Sequence, residues 1–233
     1  MDSTSPDLLG EFAADRLLLG RSSTVQKVAD VLRGRIAAGA LRSGTRLSEE
    51  ALGGALGVSR NTLREAFRVL AHERLVVHEM NRGVFVRSLG PADVADIYVT
   101  RRALETAGLR AATGSSRLAA VSEAVAAGES AARDGDWAAV ADADLRFHRA
   151  IGGLTGSERI DAYLAGLLAE LRLAFAVMAD PRALHEPFLR RNREIAELLV
   201  DGRTGRAEAE LIRYLDDAQA LIVARMRQHQ ETE

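Results

Sequence analysis

The stretch that decides the fold runs over residues 39–86 and reads GALRSGTRLSEEALGGALGVSRNTLREAFRVLAHERLVVHEMNRGVFV. Within it, Ser48 is an N-cap residue followed by two glutamates, a pattern that marks the start of a helix. Gly57 can adopt the positive φ that ends this helix, and Ser59 can cap the next helix two residues later. Two short helices joined by so tight a turn are typical of a helix-turn-helix motif.

The residues on either side extend this motif. Upstream, apolar side chains recur every three or four residues and predict an amphipathic helix: Val25, Val28, Ala29, Leu32 and Ile36. Residues 40–47, ALRSGTRL, have the composition of a loop. In residues 75–86, β-branched and aromatic side chains flank the sequence MNRG and predict a hairpin. Three helices followed by a hairpin predict a winged helix-turn-helix domain.

Beyond Pro91 the helical period dominates. Gly, Pro, Ser and Asp residues interrupt this helical pattern. The pattern predicts six helices, at about 91–113, 115–134, 136–154, 157–179, 181–201 and 204–229. The predicted fold is therefore mainly α. It consists of a flexible N-terminal segment, a winged helix-turn-helix domain and a C-terminal six-helix all-α bundle, at residues 1–23, 24–88 and 89–229.

Charge separates the two predicted domains. The whole chain of 233 residues has a net charge of -2 at pH 7. Residues 24–88 contain eleven Lys and Arg against six Asp and Glu, a net charge of +5. Residues 89–233 contain eighteen against twenty-three, a net charge of -5. A compact basic domain fused to an acidic one indicates that the first contacts a polyanion.

Composition excludes several classes of protein. The chain has no cysteine, which excludes disulfide scaffolds, cysteine-ligated zinc and thiol nucleophiles. Residues 1–23 have acidic residues at the start, no basic region and an apolar run only at residues 17–19. We therefore expect neither a signal peptide nor a membrane anchor, no membrane partner, and a cytoplasmic location.

The second short helix begins with the side chains that a DNA-reading helix needs. Such a helix enters the major groove with its N-terminal residues toward the bases, where Arg reads guanine and Asn reads adenine, and Ser and Thr suit phosphates. We predict DNA contacts from this helix and from the tip of the wing: Ser59, Arg60, Asn61, Thr62, Arg64 and Arg82. The alternative is that these are solvated side chains of an arginine-rich protein.

With these residues, the stretch resembles the DNA-binding domain of GntR-family transcription regulators, whose SR-x-x-x-RE-A core is present as Ser59, Arg60, Arg64, Glu65 and Ala66. The segments YVTRRALE, ending at Glu105, and DLRFH, at 144–148, are similar to the FadR subfamily, which has an FCD-type C-terminal domain. Six helices instead of seven imply its VanR-like branch. The resemblance covers residues 24–228 and implies a ligand-sensing helical domain, a regulator and no enzyme activity.

The resemblance also implies a divalent-metal site, from which this sequence departs. Many members of the subfamily hold a metal through one Asp and three His. Asp144 and His148 match the first pair, at an i, i+4 spacing that puts both on one helix face. The other two family positions fall at Asn192 and Tyr214, and an amide or a tyrosine hydroxyl is a poor substitute for imidazole.

Two other histidines are not expected to complete the metal site, because His185 lies two turns before the family position and His229 lies in the C-terminal tail. We therefore expect no cofactor. The alternative is zinc or nickel held by Asp144 and His148, with Asn192, water and an effector carboxylate completing the shell.

A carboxylate effector bound without a metal needs cations and hydrogen-bond donors from the protein. The effector-binding residues that we predict are Arg101, Asp144, His148, Asn192 and Tyr214. Arg101 matches the arginine of the family's R-x-x-LE element. The alternative role for Arg101 is an intrahelical ion pair with Glu105.

These patterns predict a transcription regulator whose partners are double-stranded operator DNA and a small carboxylate. We expect a repressor, because most such proteins repress. We expect a homodimer on a near-palindromic operator. Two alternatives are an architectural DNA-binding dimer without an effector and a helical metalloenzyme that uses Asp144 and His148.

Overall fold

The computed structural model describes residues 24–36, 40–112, 116–175 and 180–230, without the side chains of the last two. The described residues form two compact units, divided between Arg87 and Ser88. The boundary predicted from the sequence lies one residue later. The segment at 1–23, predicted to be flexible, lies outside the described residues.

The first unit contains the three predicted helices. Ser48 and Ser59 cap the second and third of them, each accepting a hydrogen bond from a backbone amide in the first turn. Gly57 follows the second helix with a φ of 65°. The predicted helix-turn-helix is therefore confirmed, with α1 over 24–36, α2 over Glu49–Leu56 and α3 over Arg60–His72.

The core of this unit includes the apolar faces of α1 and α3. The buried side chains of α3 are Leu63, Ala66, Phe67 and Leu70, and those of α1 are Val28, Ala29, Leu32 and Ile36. Both sets repeat every three or four residues, as an amphipathic helix requires. The exposed face of α3, which includes its first two residues, is therefore left for other contacts.

A three-stranded antiparallel sheet completes the first unit, in the order β1-β3-β2. The predicted hairpin is formed by β2, Val76–Glu79, and β3, Gly83–Val86. The prediction of a loop at residues 40–47 was incomplete, because β1, Arg46–Leu47, pairs there with β3. A strand of two residues is too short to show the alternation by which a strand is recognised.

The second unit consists of six helices in the part of the chain that the structure describes. They are α4 Pro91–Arg110, α5 Leu118–Arg133, α6 Trp137–Gly153, α7 Glu158–Phe175, α8 Pro181–Val200 and α9 Thr204–Gln230. The predicted end of α4 at about 113 is too late, because the helix ends at Arg110 and residues 111–112 are not helical. The predicted end of α7 at about 179 lies outside the described residues. None of the helices described combines the length and the apolar character that crossing a bilayer requires.

Helix α6 lies at the centre of the bundle, in contact with α4, α5, α7 and α8. Two glycines allow its close packing. A Cβ atom at Gly108 of α4 would lie 2.0 Å from the carbonyl oxygen of Ile151, and one at Gly152 would lie 2.4 Å from Cδ2 of Leu164. This close approach brings Glu105, one turn before Gly108, against His148 of α6.

Candidate functional site

The N-terminus of α3 presents an open polar surface. The Ser59 hydroxyl accepts from the Thr62 amide at 3.1 Å and lies 2.8 Å from the Thr62 hydroxyl, which fixes the first turn. Arg60 and Asn61 are the first two residues of the helix, and both are exposed. Neither side chain has a hydrogen-bond or ion-pair partner among the described residues. Both are therefore available to contact base edges.

The other two predicted DNA-contacting arginines are engaged within the first unit. Arg64 Nε lies 2.9 Å from both carboxylate oxygens of Glu49 on α2. Arg82, between the strands of the hairpin, pairs with Glu79, and its guanidinium lies 5.4 Å from the Phe85 ring centre. Exposed ion pairs of this kind are weak, so a DNA phosphate can compete for either arginine.

The interior of the second unit contains a cluster of eight polar side chains. We call this set the interior polar cluster: Tyr98, Arg101 and Glu105 of α4, Asp144 and His148 of α6, His185 and Asn192 of α8, and Tyr214 of α9. It brings together all five residues that the sequence predicted for effector binding. Seven of the side chains are buried, and that of Asp144 is 13% exposed.

Asp144 is the centre of the cluster. The Asn192 amide donates to its Oδ1 atom at 2.9 Å, and the Tyr214 hydroxyl donates to the same atom at 2.8 Å. His148 Nε2 faces this oxygen at 3.9 Å. The His148 ring also packs edge-on against the Tyr214 ring, with 5.0 Å between centroids. Helices α6, α8 and α9 are therefore joined through one carboxylate.

Arg101, predicted to bind an effector carboxylate, forms an ion pair within α4. Its Nε donates to Glu105 Oε1 at 2.8 Å, which is the intrahelical alternative. The other oxygen of Glu105 lies 2.6 Å from His148 Nδ1. The Nη2 atom of Arg101 is buried and has no hydrogen-bond partner. Sequence reasoning considered Glu105 only as the partner of Arg101 and missed its contact with α6.

His185 was considered from the sequence only as a metal ligand, and its place in the interior polar cluster was not predicted. His185 is buried, and its Nδ1 lies 3.8 Å from Asp144 Oδ2. Its ring packs edge-on against Phe175 at 5.1 Å. A separation of seven residues is close to two full helical turns, so His185 and Asn192 lie on the same face of α8. The side chain of His229 lies outside the described residues.

Burial and neighbouring charges oppose one another in the cluster. Burial alone would raise the pKa of Glu105, but Arg101 and His148 outweigh it, so that the pKa of Glu105 is lowered. Burial likewise opposes the ionised form of Asp144, and its pKa is lowered by His148, His185, Asn192 and Tyr214. Both carboxylates are therefore ionised at neutral pH.

Burial is the largest influence on the pKa values of Tyr98, Tyr214 and His185. Burial raises the pKa of Tyr98 to about 12. Burial, reinforced by Asp144, raises the pKa of Tyr214 well above its usual value, so that the hydroxyl keeps its proton and donates it. Burial lowers the pKa of His185 despite the nearby carboxylate of Asp144.

The space left in the cluster is small. A cavity of about 10 Å³ beside Asp144 is lined in part by His185 and Asn192. The Asn192 Oδ1 atom is buried and has no hydrogen-bond partner. This volume is close to the minimum for one water molecule, which can donate to Asn192 Oδ1. This cavity is too small for a carboxylate effector, so that an effector bound beside Asp144 requires side chains to move.

Two family models match the chain, one in each unit. Residues 24–86 match the model of bacterial regulatory proteins of the gntR family, and residues 96–217 match the FCD domain. The crystal structure of a GntR transcriptional regulator from Rhodococcus sp. RHA1 is 42% identical, with a TM-score of 0.81 over 87% of this chain and 98% of that chain.

Curated relatives agree with these matches. An HTH-type transcriptional regulator of Streptomyces ambofaciens is 30% identical over 166 residues, which are 70% of this chain and 69% of that protein. The gluconate operon transcriptional repressor of Bacillus licheniformis is 41% identical over 88 residues, so that the match spans 38% of this chain and 36% of the repressor. The chain belongs to the GntR family of bacterial transcription regulators, in the group whose C-terminal domain is an FCD domain.

Proposed function

We propose that this regulator represses transcription by binding a near-palindromic operator as a homodimer, and that a small carboxylate bound in the helical bundle changes its affinity for DNA. The observation that carries the proposal is the exposed N-terminus of α3, where Arg60 and Asn61 have no partner among the described residues. Repression is favoured by the name of the Bacillus gluconate repressor, whose match lies in the DNA-binding part of this chain.

The homodimer follows from the size of the DNA-reading surface. One recognition helix contacts only a few base pairs, and two copies related by a two-fold axis read two half-sites. Two half-sites supply the specificity that a single copy lacks. The mass of one chain is 25.1 kDa, so that light scattering at micromolar concentration without DNA should give twice this value. A mass near that of one chain would contradict the dimer.

The effector part of the proposal depends on Arg101. Its Nη2 atom is a buried donor without a partner, and buried polar groups normally have one. A carboxylate oxygen is a strong acceptor for a guanidinium N–H group. Because the cavity beside Asp144 is only about 10 Å³, such an effector enters by displacing side chains of the interior polar cluster. Asp144 and His148 then act as binding groups, and we propose no catalytic role for them.

The DNA-binding proposal is tested by selecting duplexes from a random pool and titrating the selected sequence in a mobility-shift assay. Arg60→Ala should lose about 1–3 kcal/mol of discrimination between bases if Arg60 contacts a guanine. The affinity of the unaltered protein should fall steeply with salt, because phosphate contacts release counterions.

The matched control for this assay is Arg133→Ala, at the last turn of α5 in the other unit, where the arginine is exposed and has no partner among the described residues. The DNA affinity and base preference of Arg133→Ala should equal those of the parent protein. If Arg60→Ala also behaves like the parent, the assigned DNA surface is wrong. A screen of small carboxylates for a rise in melting temperature separates an effector-responsive regulator from an architectural DNA-binding dimer.

A further inference from the structure

We infer that hydrogen-bond donors hold the Asp144 carboxylate in the place of a divalent cation, so that the helical bundle of this chain folds and works without a metal. The Asn192 amide and the Tyr214 hydroxyl are these donors. They come from the two helices on which the family resemblance places the missing histidine ligands. This inference does not depend on whether an effector binds.

The first support for this inference is the chemistry of the two contacts. The Asn192 nitrogen and the Tyr214 oxygen lie 2.9 and 2.8 Å from the same Oδ1 atom, which are ordinary hydrogen-bond distances. An amide nitrogen and a protonated hydroxyl both point hydrogens at the carboxylate, whereas a metal ligand points a lone pair at the ion. The lone pairs of the Asp144 Oδ1 atom therefore already accept hydrogen bonds from these two donors.

The remaining side chains do not replace the missing ligands. His148 Nε2 faces Oδ1 of Asp144 at 3.9 Å, whereas His185 Nδ1 faces the other oxygen, Oδ2, at 3.8 Å. The two imidazoles therefore approach different atoms of the carboxylate. Throughout the described ranges, no group of three His, Cys, Asp or Glu residues is arranged to hold a metal ion.

The same geometry makes a sharp prediction for the reverse change. Positions 192 and 214 already lie against Asp144, and His148 lies beside it with its Nδ1 directed to Glu105. Placing imidazoles at both positions would surround this point with one carboxylate and three histidines. A histidine that binds zinc through one ring nitrogen usually has a carboxylate or carbonyl on the other, and Glu105 already lies at the Nδ1 atom of His148. Asn192→His with Tyr214→His should therefore create a zinc site that the parent lacks.

The experiment uses the full chain, purified without added metal. Elemental analysis after dialysis should find well below one zinc, nickel or manganese per chain, and the urea midpoint should be unchanged by chelator or by zinc. Unfolding of the second unit is followed by the fluorescence of Trp137, the single tryptophan, at the start of α6. A stoichiometric metal whose removal lowers the midpoint would overturn the inference.

The double variant should behave in the opposite way. Its urea midpoint should rise when zinc is added and fall again with chelator, and Asp144→Asn in the same background should abolish the response. Tyr163→His, at a tyrosine that is 60% exposed, controls for zinc binding to an added surface histidine and should give no shift.

Tyr214→Phe provides a measurement that does not need the double variant to fold. It removes one donor to Asp144 without supplying a ligand, so the midpoint should fall and zinc should not restore it. Restoration of the Tyr214→Phe midpoint by zinc, or a folded double variant that is indifferent to zinc, would each contradict the inference.

Discussion

Replacing Glu105 by glutamine should strongly destabilise the second unit. The Glu105 side chain is 0% exposed, and its two oxygens contact Arg101 Nε at 2.8 Å and His148 Nδ1 at 2.6 Å. Glutamine has nearly the same shape but removes the charge, which leaves the buried guanidinium without a counter-ion. Breaking a buried ion pair by removing one partner costs about 3–5 kcal/mol. For a unit of this size, that loss corresponds to a fall of roughly 10–15 °C in melting temperature.

The assay is urea unfolding followed by Trp137 fluorescence, which reports on the second unit alone because the sequence contains no other tryptophan. The chain supplies a matched control in Arg182 and Glu186, which form the same type of i, i+4 pair at 2.7 Å. Their side chains are 61% and 50% exposed, so that water screens the pair. Glu186→Gln should leave the midpoint unchanged.

The residue types, spacing and substitution are the same in both pairs, so that the two variants differ in the burial of the pair and in the additional contact of Glu105 with His148. The slope of the unfolding free energy against urea should remain constant in Glu105→Gln, since the unit still unfolds from the same compact state. If Glu105→Gln costs less than about 1 kcal/mol, the buried contacts of Glu105 with Arg101 and His148 do not stabilise the second unit and the reasoning is refuted.

Three further outcomes follow from packing and titration. Burial lowers the pKa of His185 below its ordinary 6.5, so that the unfolded chain takes up a proton there at a pH where the folded chain does not. Stability should therefore fall as the pH drops through and below this value, and His185→Gln should flatten that part of the urea-midpoint profile. The lowered pKa values of Glu105 and Asp144 act in a separate window, with stability lost as the pH falls below their ordinary values of 4.5 and 3.8. Gly108→Ala should destabilise the second unit by about 3 kcal/mol, because the added carbon meets a backbone carbonyl that cannot move aside easily. Gly166→Ala, where nothing lies within 4 Å, should instead be neutral or stabilising in the same assay, and equal effects at the two glycines would contradict the close approach of α4 and α6.

The parts of the fold that the sequence predicted are those set by local rules. The two serine caps, the Gly57 turn and the period of the buried residues in α3 each depend on a few neighbouring residues. The strand β1 escaped prediction because it has two residues and gains its structure from pairing with β3. The convergence of Asn192 and Tyr214 on one carboxylate was expected only because the two residues fall at the positions of metal ligands in the family. Nothing in the sequence around either residue points to Asp144.

The two units differ in how their functional side chains depend on the rest of the chain. Arg60 and Asn61 have no partner among the described residues, so that either can be changed singly without breaking a described hydrogen bond or ion pair. In the interior polar cluster, Glu105, His148 and Asp144 each touch side chains of another helix, so that a change at one alters the charge that the others meet. Contacting residues of this kind do not contribute additively to stability. A ligand that breaks one of these contacts therefore acts on several helices at once, which is the property that a sensing domain needs to transmit binding.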